Sequence, residues 1–276
     1  MADVPVILLN TGAEFPQVGL GTWPLTDAEA ADAVVAAAEA GYRHIDTATK
    51  YGNEAGVAEG IRRTGIDRAE FFVTTKLDGT FQGADRAIGG LEAALDRMRL
   101  DYVDLLLMHW PLPQRGLFVS TWHTFEKLHS DGRARAIGVS NFKPAHLEVL
   151  LKEASIVPAV NQIQISPVIP RDDHVAYDAQ HGIVTSSYSP LGGPGGAVTK
   201  DPVVQEIAAE LGRTPGQVVL RWHVQRGLVP IPKTTNPQRM AENLDVFGWE
   251  LSEAHMADLA KLARPGAGVD SDREGH

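Results

Sequence analysis

Along this chain, short apolar runs repeatedly end on a residue that can do chemistry. Residues 42–45 are followed by Asp46, 71–75 by Lys76 and 102–108 by His109. Residues 134–139 lead to Ser140 and Asn141, and 159–163 carry Gln162 near their end. Residues 183–187 lead to Tyr188, and Val229–Ile231 stands just before Lys233. A carboxylate, an ammonium and an imidazole brought together can hold or move a proton and polarise a carbonyl. Amide and hydroxyl groups beside them can fix a polar ligand. Taken singly these signals are weak. An Asp after a strand is more often a helix cap, and a His there is more often structural. Polar groups at the ends of so many apolar runs, however, have no packing explanation. Asp46, His109 and His44 could instead serve as metal ligands in a hydrolase, although no His-x-His pair exists.

Something must bring these positions together. Residues 6–9, the turn residues Asn10-Thr11-Gly12 and residues 15–20 read as a short hairpin. Strands and helices then alternate. Helices are expected at 28–40, capped by Asp27 and ended by Gly41, and at 54–63, 84–99 and 118–129. Another opens at Lys143-Pro144, with further helices at Asp172–Gln180, Pro202–Leu211 and Pro215–Gln225. The run YVDLLLM at 102–108 is nearly continuous in apolar residues, as suits a strand covered on both faces. Counted from 18–20, the pattern makes eight strand–helix units with short links. That predicts an α/β fold, a (β/α)₈ TIM barrel with an N-terminal β-hairpin, in a single domain over 1–276. A doubly wound open sheet is the alternative. In a barrel the working residues sit at the C-terminal ends of the strands, where the polar set falls. GGPGG at 192–196 reads as a loop inside the alternation, and the polar tail 265–276 as irregular.

The composition is that of an ordinary globular protein, with 43% hydrophobic and 22% charged residues. There is no cysteine, which excludes disulfides and thiolate metal sites. A net charge of −10 argues against nucleic acid or an anionic membrane as a partner. The opening MADVPVILLN lacks the pattern of a secretory signal, and no stretch is long enough to span a bilayer. A cytoplasmic location is expected.

Six segments carry a family resemblance: YRHIDTATKYGNE (42–54), DYVDLLLMHWP (101–111), AIGVSNF (136–142), VNQI (160–163), YSPLG (188–192) and VPIPKTTNPQRMAEN (229–243). In order and in wording the chain resembles the aldo-keto reductases, in particular the prokaryotic 2,5-diketo-D-gluconate-reductase-like members. The resemblance implies a monomeric enzyme that reduces a small carbonyl compound with NADPH. It implies a catalytic tetrad of Asp46, Tyr51, Lys76 and His109. Tyr51 would donate the proton, Lys76 would lower its pKa, Asp46 would hold Lys76, and His109 would orient the carbonyl. Gly21, Thr22 and Trp23 would line the cofactor. Ser140, Asn141 and Gln162 would bind the nicotinamide carboxamide, Tyr188 would stack on the ring, and Ser189 and Leu191 would follow the pyrophosphate. Lys233, Thr234 and Arg239 would hold the 2′-phosphate, with Glu242 and Asn243 at the adenine. No metal is implied. A non-catalytic NADPH-binding role is the competing reading within the family.

Several positions depart from the family pattern. Lys50 and Asp78 face the substrate by analogy, where an aliphatic residue and Trp are usual, while Trp23 and Trp110 remain as walls. Lys50 and Asp78 are expected either to pair or to leave Lys50 free for an anionic substrate. Gly195 leaves no acid to clasp Lys233 over the cofactor. Gln164 and Ser166 also differ from the pattern but are read as pointing away from the chemistry. The short tail is expected to leave the mouth of the barrel less covered.

Overall fold

The computed structural model describes residues 4–276, so the first three residues of the opening segment lie outside the description. Strands β1 (Val6–Leu8) and β2 (Glu14–Pro16) form an antiparallel hairpin with Ile7 opposite Phe15. Its second arm ends at Pro16, earlier than expected. Residues Leu20–Gly21 instead form β3, the first of eight parallel strands. The others are β4 (His44–Asp46), β5 (Phe72–Leu77), β6 (Val103–Met108), β7 (Ala134–Ser140), β8 (Val160–Gln164), β9 (Val184–Tyr188) and β10 (Val229–Ile231). Two backbone bonds join the outer edges of this sheet. Gly19 N donates to Pro230 O at 3.1 Å and Gly21 N to Pro232 O at 3.0 Å. The sheet is therefore a barrel, not an open sheet.

Helices wrap the outside: α1 (Asp27–Ala40), α2 (Glu54–Thr64), α3 (Ala84–Met98), α4 (Phe118–Ser130), α5 (Pro144–Glu153) and α6 (Asp172–Gln180). They are followed by α7 (Pro202–Leu211), α8 (Pro215–Gln225), α9 (Pro237–Leu244) and α10 (Glu253–Ala260). Among the described residues no helix is long and apolar enough to cross a membrane. The expected cap of α1 is corrected by one residue. Thr26 closes a capping box with Glu29, and the Asp27 carboxylate instead accepts Gly56 N at 2.6 Å. Asp27 thus ties α1 to the start of α2.

The alternation of side chains along each strand sorts the core into two layers. Leu105 and Leu107 of β6 pack inside the barrel with Phe15, Phe72, Ala136 and Val160. Leu106 and Met108 face the helices. Phe15 of the hairpin plugs the N-terminal end, with its ring 4.8 Å from His44 and 4.9 Å from Phe72. The same alternation turns Asp46, Lys76, Ser140 and Gln162 inward at the opposite end.

Gly138 shows how tightly this interior is filled. A Cβ there would stand 2.5 Å from Val160 O and 2.8 Å from Leu107 Cδ2. In an open strand, Gly→Ala would gain roughly 0.5–1 kcal/mol of backbone entropy. Overpacking typically costs about 1–3 kcal/mol and here meets backbone of β8, so the clash decides the sign. Gly138→Ala should lower the denaturant midpoint, and an unchanged or raised midpoint would show that the barrel wall relaxes freely.

Candidate active site

Lys76 stands at the centre of the C-terminal mouth of the barrel, and its side chain is 1% exposed. An ammonium has three protons to place. Nζ lies 2.5 Å from Asp46 Oδ1, 3.0 Å from Thr47 O and 3.5 Å from Tyr51 Oη. Asp46 is anchored on its other oxygen, where Gln162 Nε2 donates at 2.8 Å. Burial alone would drive the Lys76 ammonium down. The Asp46 carboxylate and the Tyr51 hydroxyl more than offset it, and the group stands above its ordinary value.

Tyr51 arrives by a short turn of 3-10 helix, Thr49–Tyr51, that ends in left-handed Gly52. Thr49 Oγ1 donates to Lys76 O at 2.9 Å and pins this turn to β5. The Tyr51 hydroxyl differs from expectation. Burial raises its pKa, and the opposing pull of Lys76 does not outweigh that rise. The phenol therefore holds its proton in the resting site.

His109 follows β6, with its ring 5.8 Å from that of Tyr51 in an edge contact. Its Nδ1 is buried without a partner among the described residues. Burial, and then the Lys76 charge with contributions from His276 and Lys50, hold it well below its usual pKa, so it stands neutral. The His109 carbonyl accepts Asn141 Nδ2 at 3.0 Å, and Asn141 Oδ1 accepts Tyr188 Oη at 2.9 Å. Ser140 Oγ donates to Gln162 O at 2.8 Å. Ser140, Asn141, Gln162 and Tyr188 are thus brought together beside the Lys76 cluster. Asn141 and Ser189 both sit in the left-handed region, at φ 63° and 50°, a strained placement for non-glycine residues that recurs at functional sites.

Other expected residues spread along one flank. Leu191 is partly buried, and Lys233 and Arg239 are exposed and form no ion pair among the described residues. Thr234 Oγ1 accepts Asn236 N, and Asn236 in turn caps α9 through Arg239 N. Glu242 accepts Gln238 Nε2, and Asn243 is buried beside Tyr42. Gly21 packs against Ile231 and Lys233 at the barrel seam. Thr22 is fully buried, with its hydroxyl on Asp46 O at 3.0 Å, so its side chain braces Asp46. Trp23 stands 54% exposed on the rim, and Trp110 is buried in the mouth.

The outer rim contains the main departures. Lys50 and Asp78 do not pair. Asp78 Oδ1 accepts Thr80 N and Oγ1 at 2.7 and 2.6 Å, which turns it into a local cap. Nor does the tail leave the mouth open. Val269 is gripped by Gln164 and Arg171, and Asp270 and Asp272 accept Lys143 Nζ at 2.5 and 2.6 Å. His146 Nε2 lies 2.8 Å from Asp272. The segment ends with the His276 ring 5.1 Å from His109 and 5.7 Å from Trp110. Gln164, read as pointing away, is one of its anchors. Two supporting residues were also missed. Asn53 binds Thr47 Oγ1 and the carbonyls of Thr22 and Leu25, and Glu54 accepts Thr75 Oγ1 at 2.6 Å behind Lys76. Their place in the motif YGNE was the available signal.

A match to the Aldo/keto reductase family spans residues 17–264. An aldo-keto reductase of Mycobacterium sp. (strain JLS) is 46% identical over 94% of this chain and 93% of its own length. The 2,5-diketo-D-gluconic acid reductase B of a Corynebacterium is 41% identical over 100% of this chain and 99% of its own. The structure of Bombyx mori aldo-keto reductase in complex with NADP superposes with a TM-score of 0.91 at 35% identity, covering 98% of this chain and 96% of that one. A correspondence this extensive in both sequence and fold means that the chain belongs to the aldo/keto reductase family.

Proposed function

We propose that this protein, acting as a single domain, is an NADPH-dependent reductase that converts aldehydes, ketones or dicarbonyls to alcohols. The observation that carries the proposal is the disposition of the three Lys76 protons on Asp46, the Thr47 carbonyl and the Tyr51 hydroxyl. That arrangement holds a positive charge, buried and neutralised, against a phenol that still keeps its proton. When bound, NADPH supplies the hydride.

This chain's residues do the rest. Neutral His109, with Tyr51, receives the carbonyl oxygen by hydrogen bonding and fixes its orientation. As negative charge grows on that oxygen, the Tyr51 proton passes to it and the alcohol forms. The phenolate left behind is stabilised by Lys76 Nζ. The carbonyl thus gains one hydride and one proton, and Tyr51 is reprotonated from solvent. Burial, which makes Tyr51 a poor acid at rest, also strengthens the Lys76–phenolate attraction once charge develops.

The cofactor end follows from the flank described above. Ser140, Asn141 and Gln162 suit a carboxamide, and Tyr188 offers a ring face held by Asn141. Gly21, Trp23, Ser189 and Leu191 would border the nucleotide. Exposed Lys233 and Arg239 beside capped α9 suit a phosphate.

Tyr51→Phe keeps the ring and removes the proton donor, so turnover should fall by roughly 10²–10⁴ with NADPH affinity nearly unchanged. Steady-state kinetics and fluorescence titration measure the two, and near-wild-type turnover would remove Tyr51 from the chemistry. Arg239→Ala should weaken NADPH by about tenfold or more, since a charge-assisted bond is worth ~1.5–3 kcal/mol. NADH, which lacks the 2′-phosphate, should be little affected. Equal losses for both nucleotides would show that Arg239 does not read that phosphate.

A further inference from the structure

A fully buried carboxylate stands just outside the barrel wall, with no cation bonded to it among the described residues. Asp178 of α6 is 0% exposed. Both of its oxygens accept Asn161 Nδ2 at 3.2 Å, and Oδ2 also accepts Thr185 Oγ1 at 2.9 Å. Asn161 and Thr185 lie on the neighbouring strands β8 and β9, and both point outward to the helix layer. Asn161 directly precedes Gln162, which points inward to Asp46.

Asn161 has a second attachment. Its Nδ2 donates to Phe142 O at 3.1 Å, and Phe142 directly follows Ser140 and Asn141. The amide nitrogen has two protons, and Asp178 and Phe142 O take both. The amide oxygen, Asn161 Oδ1, is buried without a partner among the described residues. This arrangement suits an ionised Asp178, which can only accept. A protonated Asp178 has a proton to place, on Thr185 Oγ1 by reversing that bond or on the unpartnered Asn161 Oδ1 if the amide turns over, and in either case Asn161 Nδ2 loses its charged acceptor. The first weakens the anchor of the amide that bonds Phe142 O, and the second takes Nδ2 away from Phe142 O altogether.

We infer that Asp178 is a positioning residue for the nicotinamide end of the cofactor site, acting through Asn161 on the segment from Ser140 to Phe142. Ionised Asp178 holds that segment, and protonation of Asp178 loosens it. The inference rests on the proposed role of Ser140 and Asn141 in binding the cofactor. Burial supports it by pushing the Asp178 carboxyl up to about 7, which populates both states near neutrality.

The surrounding charges are few. Strands β8 and β9 present only neutral Asn161 and Thr185 to the carboxyl. On α6 itself, His181 bears on Asp178 and stacks on Tyr177 with ring centroids 4.3 Å apart. From α5, Glu148 and Lys152 act on Tyr177 beyond it.

The test uses the full chain with carbon-13-labelled aspartate, followed by infrared spectroscopy without cofactor between about pH 5.5 and 8.5. A carboxyl titration with a midpoint near neutrality is expected, absent in Asp178→Asn and retained in His181→Gln. NADH and NADPH dissociation constants are then measured by fluorescence over the same range. NADH is included because it lacks the 2′-phosphate, which itself titrates. Wild type should bind both nucleotides several-fold more tightly on the alkaline side of that midpoint. Asp178→Asn, whose amide mimics the protonated acid, should stay at the weaker, acid-side affinity throughout. Thr185→Val removes a donor to the carboxylate and should move the midpoint and the affinity change together to higher pH. A carboxyl that stays ionised across the range overturns the proposal. So does an affinity profile that is the same in wild type and Asp178→Asn. Absence of nucleotide binding in wild type would overturn the cofactor reading first and this inference with it, a result distinct from a missing titration.

Discussion

The buried pair of Lys76 and Asp46 is the constraint on which the rest of the site depends. Removing two charges from water is expensive, and such a pair persists only when its remaining bonds are also filled. Here they are filled by parts drawn from across the barrel. Thr47 O and Tyr51 Oη take the other Lys76 protons, and Gln162 takes the second Asp46 oxygen. Losing one partner of a buried pair usually costs about 3–5 kcal/mol because the other charge is stranded. The pair therefore fixes the register of β4, β5 and β8 at their C-terminal ends. It also places a cation beside the Tyr51 hydroxyl.

Strand alternation converts this local demand into a whole architecture. A residue aimed into the mouth has neighbours aimed at the helices, so each strand must be buried on both faces. Leu106 and Met108 pack outward while Leu107 packs inward, and the chain then delivers His109. Asn161 and Gln162 divide the same way, one gripping α6 through Asp178 and the other gripping Asp46. The helix layer is thus mechanically continuous with the Lys76–Asp46 cluster.

The barrel and its inward-facing polar set were legible because each strand is a short apolar run that ends on a polar residue. Lys76 and Asp46 could be placed on that basis, and Tyr51 through the wording of its motif. What escaped notice depends on contacts distant in sequence. The tail from Val269 to His276 is polar and irregular, and nothing within it announces that Lys143, His146, Gln164 and Arg171 hold it over the mouth. The Asp78 carboxylate was drawn into a turn by Thr80, two residues away, in preference to a partner across the rim. Thr26 and Asp27 were one position apart as caps, and only the approach of Gly56 explains which was used elsewhere. The resting pKa of Tyr51 is set by burial, which residue identity does not reveal.

The claim that the Lys76 charge enables proton donation by Tyr51 is tested most directly by single-turnover reduction of an aldehyde in stopped flow. The variants are Lys76→Met alone and Lys76→Met with Asp46→Asn, the second leaving no charge stranded. With NADPH already bound, both should slow the chemical step by roughly 10²–10⁴ while cofactor affinity stays within a few-fold of wild type. A double variant that binds NADPH and reduces aldehyde at the wild-type single-turnover rate would contradict the account.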